Sequence, residues 1–344
     1  MDLSVIGLKE YTYGFSISFA KNTDLKDGTK QMKKMKKTFR ILAAVFALVA
    51  GSAEADTLSF TLENDTLSFP KKDSEYTHGT EFSYMRDKPL WFFDNWGIEV
   101  EQTMYGPKLD KTDNMVQGEH PYCGYLSFNF IGEQWFDLDW SVLTLQHSFG
   151  FGGVGPHSYS EQSQKIIHAW LGCKEPKGWK KWQIRDEFIF QYELYANLNL
   201  ELTDSTDLFR VFVIPRTGIE AGGFKDMLAA GLDFKFGFNA TENVGSGMIL
   251  SAPKDRGSSG SWGLYLLAGV EGRCVFHDTA IEGGLFRDSP YTLDAETWVG
   301  EFHWGAGLTI RSFEISYFNY IRSKEFETNY RRPNYGQLMV SWKF

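Results

Sequence analysis

Long apolar runs are almost absent from these 344 residues. A membrane-spanning helix needs about 20 consecutive apolar residues, and the mean hydropathy is −0.32. A bundle of transmembrane helices is therefore excluded. Cysteine is scarce. Cys123, Cys173 and Cys274 are the only three, too few for a disulfide framework and without metal-ligand spacing. Positive charge is in deficit, with 35 Lys/Arg against 44 Asp/Glu and a formal charge of −9, which argues against nucleic-acid binding. The charged fraction of 23% is ordinary, so wholesale disorder is also excluded. The chain is rich in rings and glycine: 29 Phe, 16 Tyr, 11 Trp and 34 Gly. That mixture, with so little sustained apolar sequence, fits an all-β protein. It fits best a barrel whose strands alternate and whose rims carry aromatic girdles.

The one apolar run, Ile41 to Ala50, follows Lys33, Lys34, Lys36, Lys37 and Arg40 and precedes Ala53-Glu54-Ala55. A positive segment, a short apolar core and a small-x-small site together read as a secretory signal cleaved after Ala55. The signal lies deep in the chain, so residues 1–55 are expected to comprise a mis-assigned extension plus the signal peptide, with Met32 or Met35 as the initiator. That segment holds nine of the 35 basic and five of the 44 acidic residues. Residues 56–344 keep 26 and 39, a formal charge of −13, and are expected to form a single domain.

The C-terminus carries the clearest strand signal. Leu338, Val340, Trp342 and Phe344 share one parity, and Met339, Ser341 and Lys343 share the other. Alternate side chains of a strand point to opposite faces, so one face is wholly apolar. A closing strand that ends on Phe resembles the last strand of bacterial outer-membrane barrels. Similar alternation predicts strands at 57–64, 77–85, 98–105, 123–134, 137–150, 183–197, 207–221, 226–238, 261–276, 296–309, 311–324 and 335–344. Twelve is an even number, as a single-chain barrel with both termini on one side requires. Turn signals stand at Asp94–Gly97 and Asn334–Gly336. The fold expected is a closed antiparallel transmembrane β-barrel of about 12 strands. Ser158–Leu171 breaks the pattern. Ile166, Ile167, Trp170 and Leu171 recur at helical spacing, Ser158 or Ser160 offers a cap, and Gly172 a stop. A short helix at the outer rim is expected there.

With the N-terminus in the periplasm, the connections after strands one, three and five all reach the outer face. They carry Glu63-Asn64-Asp65, Thr77 and His78, then Lys108, Lys111 and His120–Gly124, then Gly152–Pro156, Gln164, His168 and Glu175. Such an inventory suits metal-assisted hydrolysis, with a His as base for water, carboxylate and carbonyl oxygens for a hard cation, and Lys or Asn for an oxyanion.

These residues resemble the outer-membrane lipid A 3'-O-deacylase family and its uncharacterised relatives. The matching segments run in order: Leu62–Asp65, Tyr76–Gly79, Pro121–Tyr125, Gly155–Ser158, Gln164 with His168, Glu175–Trp179, Ala268–Arg273, Phe286–Ser289 and Ser323–Phe326. The resemblance covers residues 57–344. It implies a twelve-stranded barrel in the outer membrane, with an active site between the wall and a loop helix at the outer-leaflet end. It implies calcium-dependent hydrolysis of a 3'-linked acyloxyacyl ester of lipid A. His168 corresponds to the base that activates water, Asn64 and Asp65 to the pair ending strand one, and Thr77 to the hydroxyl opening strand two. The family lysine corresponds to Lys108 or Lys111, between which spacing does not choose. The family carboxylate six residues after the His falls on Lys174, with Glu175 one residue later. Asp65, Asn64 and Glu63 are the oxygen donors offered to Ca2+. Cys123 reads as a packed small residue. The competing readings are a catalytically silent barrel and a small pore.

Overall fold

The computed structural model describes residues 56–69, 76–107, 117–139, 141–171, 176–204, 207–241, 262–329 and 333–344. Twelve strands follow one another: β1 (Thr57–Asn64), β2 (Tyr76–Arg86), β3 (Asn95–Tyr105), β4 (Cys123–Leu138), β5 (Ser141–Val154), β6 (Glu187–Glu201), β7 (Phe209–Gly222), β8 (Lys225–Phe238), β9 (Trp262–Asp278), β10 (Trp298–Ile310), β11 (Phe313–Arg322) and β12 (Asn334–Lys343). Each pairs antiparallel with its sequence neighbours. β1 also pairs with β12, from Thr57 opposite Lys343 to Asn64 opposite Gly336, so the sheet closes. Asp56 and Phe344 seal the seam with backbone bonds of 3.1 and 3.0 Å. Closure leaves no sheet edge, as lipid demands. Among the described residues no helix is long and apolar enough to cross a membrane.

Alternation sorts the side chains as the sequence predicts. Leu338, Val340 and Trp342 stand exposed on the outer wall, while Met339 and Ser341 are buried inside. Ser59 shares a 2.8 Å hydroxyl bond with Ser341 on the inner side. Phe60 packs on Phe82 on the outer side, ring centroids 4.7 Å apart. Exposed Phe128, Phe151, Phe190, Phe234 and Ile315 continue the apolar outer band, which is what a bilayer-facing wall requires.

One side of the lumen carries a network of paired charge. Arg216 reaches Glu271 at 2.9 Å, Arg273 bridges Glu271 and Glu301 at 2.7 and 3.0 Å, and Arg322 joins Glu301 at 2.7 Å. His303 bonds Asp233 at 2.8 Å. Buried charge is tolerated only when paired and hydrogen-bonded in this way. A cavity of ≈ 220 Å³ lies against this network.

The twelve strands match the expected set one for one, with shifted ends. Asn95–Gly97 and Asn334–Gly336 belong to the ladders of β3 and β12 and are not turns. Their glycines serve close packing. A Cβ on Gly97 would collide with Met85 and the Tyr84 carbonyl, and one on Gly336 with the Leu67 carbonyl. β6 starts at Glu187 because Gln183 and Ile184 pair with Tyr122 instead, Ile184 N–H donating to its carbonyl at 2.8 Å. Gly152 and Gly153 lie inside β5, and Gly155 ends the strand at φ 88°.

Three helices lie at the end opposite the described termini: α1 (Ser160–Leu171), α2 (Trp179–Trp182) and α3 (Thr279–Glu282). In barrels of this kind the elaborated loops are extracellular, so this end is the outer rim. Over the lumen mouth His120 stacks on Tyr105, centroids 5.3 Å apart, and meets Phe326 edge-on. Burial holds the His120 imidazole below its ordinary pKa.

Candidate active site

The end of β1 splits by parity. Glu63 points inward, where it accepts from the Tyr76 hydroxyl and from Gln337 Nε2, the latter at 2.8 Å. Asn64 points outward and donates Nδ2 to the Thr77 carbonyl at 2.6 Å. Its Oδ1 accepts from Thr66 N–H at 2.8 Å and from the Thr66 hydroxyl, capping a 3-10 turn over Asp65–Leu67. Asp65 is buried, and its carbonyl accepts from Ser68 N–H and Oγ at 3.1 and 2.6 Å. Strand alternation thus commits Glu63 to the lumen, on the opposite side of the wall from Asn64.

Thr77 sits where the β2–β3 register slips between Tyr76 and His78. A bulge frees a residue from the ladder and re-aims its side chain. A Cβ on Gly106 would lie 3.9 Å from Thr77 Oγ1 and 3.3 Å from the Tyr122 ring. Thr77, Gly106 and Tyr122 are therefore neighbours, and Asn64 is tied to the same point through the Thr77 carbonyl.

Helix α1 lies against the outside of the wall and does not plug the lumen. Gln102, outward on β3, donates Nε2 to the Ser158 carbonyl at 2.6 Å. Ser160 Oγ donates to the Thr103 carbonyl at 3.4 Å. Gly124 makes the seat, since a Cβ there would collide with the hydroxyls of Ser158 and Ser160. Met104 is also outward yet 0% exposed, because Tyr122 and Trp179 cover it. Trp179 packs on Tyr122, centroids 4.9 Å apart, and donates Nε1 to buried Gln164 Oε1 at 2.6 Å. His168 follows Gln164 by four residues and shares its helix face. The contacts from Thr77 through Gly106, Tyr122 and Trp179 to Gln164 thus connect α1 to the part of the wall that carries Thr77.

Lys108, Lys111, Lys174 and Glu175 lie outside the described residues, as do residues 1–55. Cys123 is buried among Tyr125, Val154 and Ile184, as a packed small residue should be. His78 Nε2 bonds Thr80 Oγ1 at 2.6 Å, and His157 Nδ1 faces Asp186 at 2.8 Å. Among the described residues no three His, Cys, Asp or Glu side chains group as metal ligands. Sequence reasoning missed Gln102 and Met104 as the seat of α1. Their signal is a polar residue and a small one, Gln102 and Gly124, at outward positions where lipid-facing apolar residues are expected. The arrangement sets α1, tied through Gln164 to Trp179, against the outside of the rim, and Asn64 and Thr77 at the outer ends of β1 and β2.

The sequence model of the family described as "Outer membrane protein LpxR" matches residues 38–344. Among solved structures, LpxR from Salmonella typhimurium superposes with a TM-score of 0.71 at 18% identity, covering 84% of this chain and 100% of that one. The translocator domain of the autotransporter NalP from Neisseria meningitidis covers 93% of this chain and 98% of its own at 10% identity, with a TM-score of 0.40. No curated protein sequence matches the chain.

Proposed function

The chain belongs to the outer-membrane LpxR family, and from that premise we propose that it is a hydrolase removing a 3'-linked acyl chain from lipid A in the outer leaflet. One observation supports the reading: α1 is docked on the lipid side of the rim through the bond of Trp179 to Gln164, and His168 follows Gln164 by one helical turn. An ester buried in a leaflet is reached from the side, and a site inside the lumen would not meet it.

In this mechanism His168 takes the proton of the attacking water, a task suited to an imidazole near neutral pH. Gln164 and Trp179 position the helix that carries it. Thr77 Oγ1, freed from the ladder, donates to the ester or its oxyanion. Asn64 and Asp65 supply oxygen donors of the kind Ca2+ takes, Asn64 Oδ1 in exchange for its bond from the Thr66 hydroxyl. Bound calcium would polarise the ester carbonyl. Lys108 or Lys111 and Glu175 remain proposed partners of the oxyanion and of His168.

The test uses the purified barrel in detergent with lipid A, and mass spectrometry of the released fatty acid. Release that stops with a chelator and returns with Ca2+ supports the proposal. Release unaffected by chelation overturns the metal role, and no release from correctly folded protein overturns the activity.

A further inference from the structure

Two adjoining hollows on the outer wall take no part in the site above. The lower one, ≈ 910 Å³, runs across the lipid-facing side of β3 to β6. Val100, Leu126, Phe128, Phe151 and Phe188 form its sides. Its volume lies within the ~300–1,000 Å³ of small-molecule sites. The upper one, ≈ 440 Å³, lies at the rim beside the first turn of α1 and is lined by Lys180, Lys181, Arg185 and Arg287. Asp186 and Arg287 line both hollows, so the two are continuous.

The charges of the upper hollow are unbalanced. Its acidic side chains are already engaged, Glu161 with Lys165 at 2.9 Å and Asp186 with His157 at 2.8 Å. The four cationic side chains are exposed, and none forms an ion pair or side-chain hydrogen bond among the described residues. An apolar channel at bilayer depth beneath these exposed cations at headgroup level has the polarity of one ligand class, an anionic lipid. In the outer leaflet that lipid is a phosphorylated, multi-acylated glycolipid.

We infer that this two-part surface docks lipid A, one acyl chain lying in the groove and a phosphate seated among Lys180, Lys181, Arg185 and Arg287. Guanidinium and ammonium groups together suit a phosphate oxygen cluster. The inference goes beyond the hydrolase reading and holds for a silent barrel too. It also bears on that reading. Glu161 borders the basic hollow and His168 lies seven residues further along α1, ~10 Å at the helical rise. A glycolipid held by its phosphate would thereby present its ester-bearing sugar along α1.

Binding is measured by native mass spectrometry of the folded barrel in detergent, titrated with bis-phosphorylated lipid A, dephosphorylated lipid A and phosphatidylglycerol. Two variants are compared: Arg185→Glu with Arg287→Glu, and Leu126→Trp, which fills the groove with a residue the bilayer tolerates. Heat-modifiable gel migration establishes that each is folded. The expected result is binding of bis-phosphorylated lipid A weakened about tenfold or more by either variant and by removal of the phosphates. Equal binding by wild type and both variants overturns the inference. Equal binding of phosphatidylglycerol overturns the assignment to lipid A. His168→Ala is included as a separate arm. Docking without turnover in the wild type counts against the hydrolase alone, and turnover with unaltered binding in both variants counts against the docking surface alone.

Discussion

Replacing Trp179 by Phe isolates the contact that holds α1 to the wall. The ring is 1% exposed and covers Met104 and Tyr122, all of which Phe largely keeps. The indole N–H is lost, and with it the 2.6 Å bond to Gln164 Oε1. Gln164 is 3% exposed, so its oxygen is left buried without that donor. An orphaned buried acceptor costs about 1–3 kcal/mol, or about 5- to 150-fold in the ratio of docked to undocked helix. The cost falls on the helix and not on the barrel, because Trp179 belongs to no ladder. Trypsin reads the difference. Cleavage after Lys165, within α1, requires the helix to leave the wall, and when reclosing is fast the rate tracks the open population. Cleavage should accelerate by that same factor while the gel migration of the folded barrel stays put. Adding Gln164→Leu removes the orphan acceptor, so the double variant should be cleaved more slowly than Trp179→Phe alone. Identical cleavage rates in wild type and Trp179→Phe would refute the claim that this bond anchors α1.

The other predictions concern separate parts of the molecule. His168→Ala should lower the hydrolytic rate about 10²–10⁴-fold, the usual contribution of a general base, with trypsin resistance of α1 retained; an unchanged rate removes His168 from the mechanism. Arg273→Met leaves Glu271 and Glu301 short of a partner in the lumen, and thermal or urea unfolding should show a loss of about 3–5 kcal/mol, where a change below about 1 kcal/mol contradicts the pairing account. Burial lowers the folded-state pKa of His120, outweighing its bond to the Pro121 carbonyl and the nearby Asp278 and Glu325. The stabilisation it gives the loop cap is therefore complete above the unfolded value of about 6.5 and drains as pH falls from there through the folded value. Cleavage after Glu119 by a Glu-specific protease, corrected for the enzyme's own pH profile, should rise on acidification in the wild type and stay flat in His120→Phe. Planar-bilayer recordings should show no steady conductance through the lumen, since the buried Arg216, Arg273 and Arg322 occupy it in pairs with Glu271 and Glu301; stable open channels would contradict it.

The strands were legible because lipid and lumen impose a strict two-residue period, and Leu338–Phe344 displays it without interruption. Where glycine entered a ladder the reading slipped. Gly97 and Gly336 signal turns by composition, yet they are there because a neighbouring side chain or carbonyl approaches too closely for a Cβ. The helix was legible within two residues from the spacing of Ile166, Ile167 and Trp170. Its position on the outer wall was not, because that depends on Gln102, Met104 and Gly124 on other strands. Asn64 and Thr77, singled out by their motifs, are linked by one hydrogen bond. That Glu63 and Asn64 face opposite sides of the wall follows from strand alternation, since adjacency in sequence is opposition across a barrel wall. The lumen network of Arg216, Arg273 and Arg322 was invisible for the same reason, its members being brought together only by closure of the sheet.

The most direct test of the central claim is the mass of lipid A from a bacterium of defined lipid A structure that expresses this protein. The wild type should yield lipid A lighter by one 3'-linked acyloxyacyl unit, and His168→Ala, folded to the same extent by gel migration, should leave the mass unchanged. Unaltered lipid A in cells carrying the folded wild-type barrel would contradict the account.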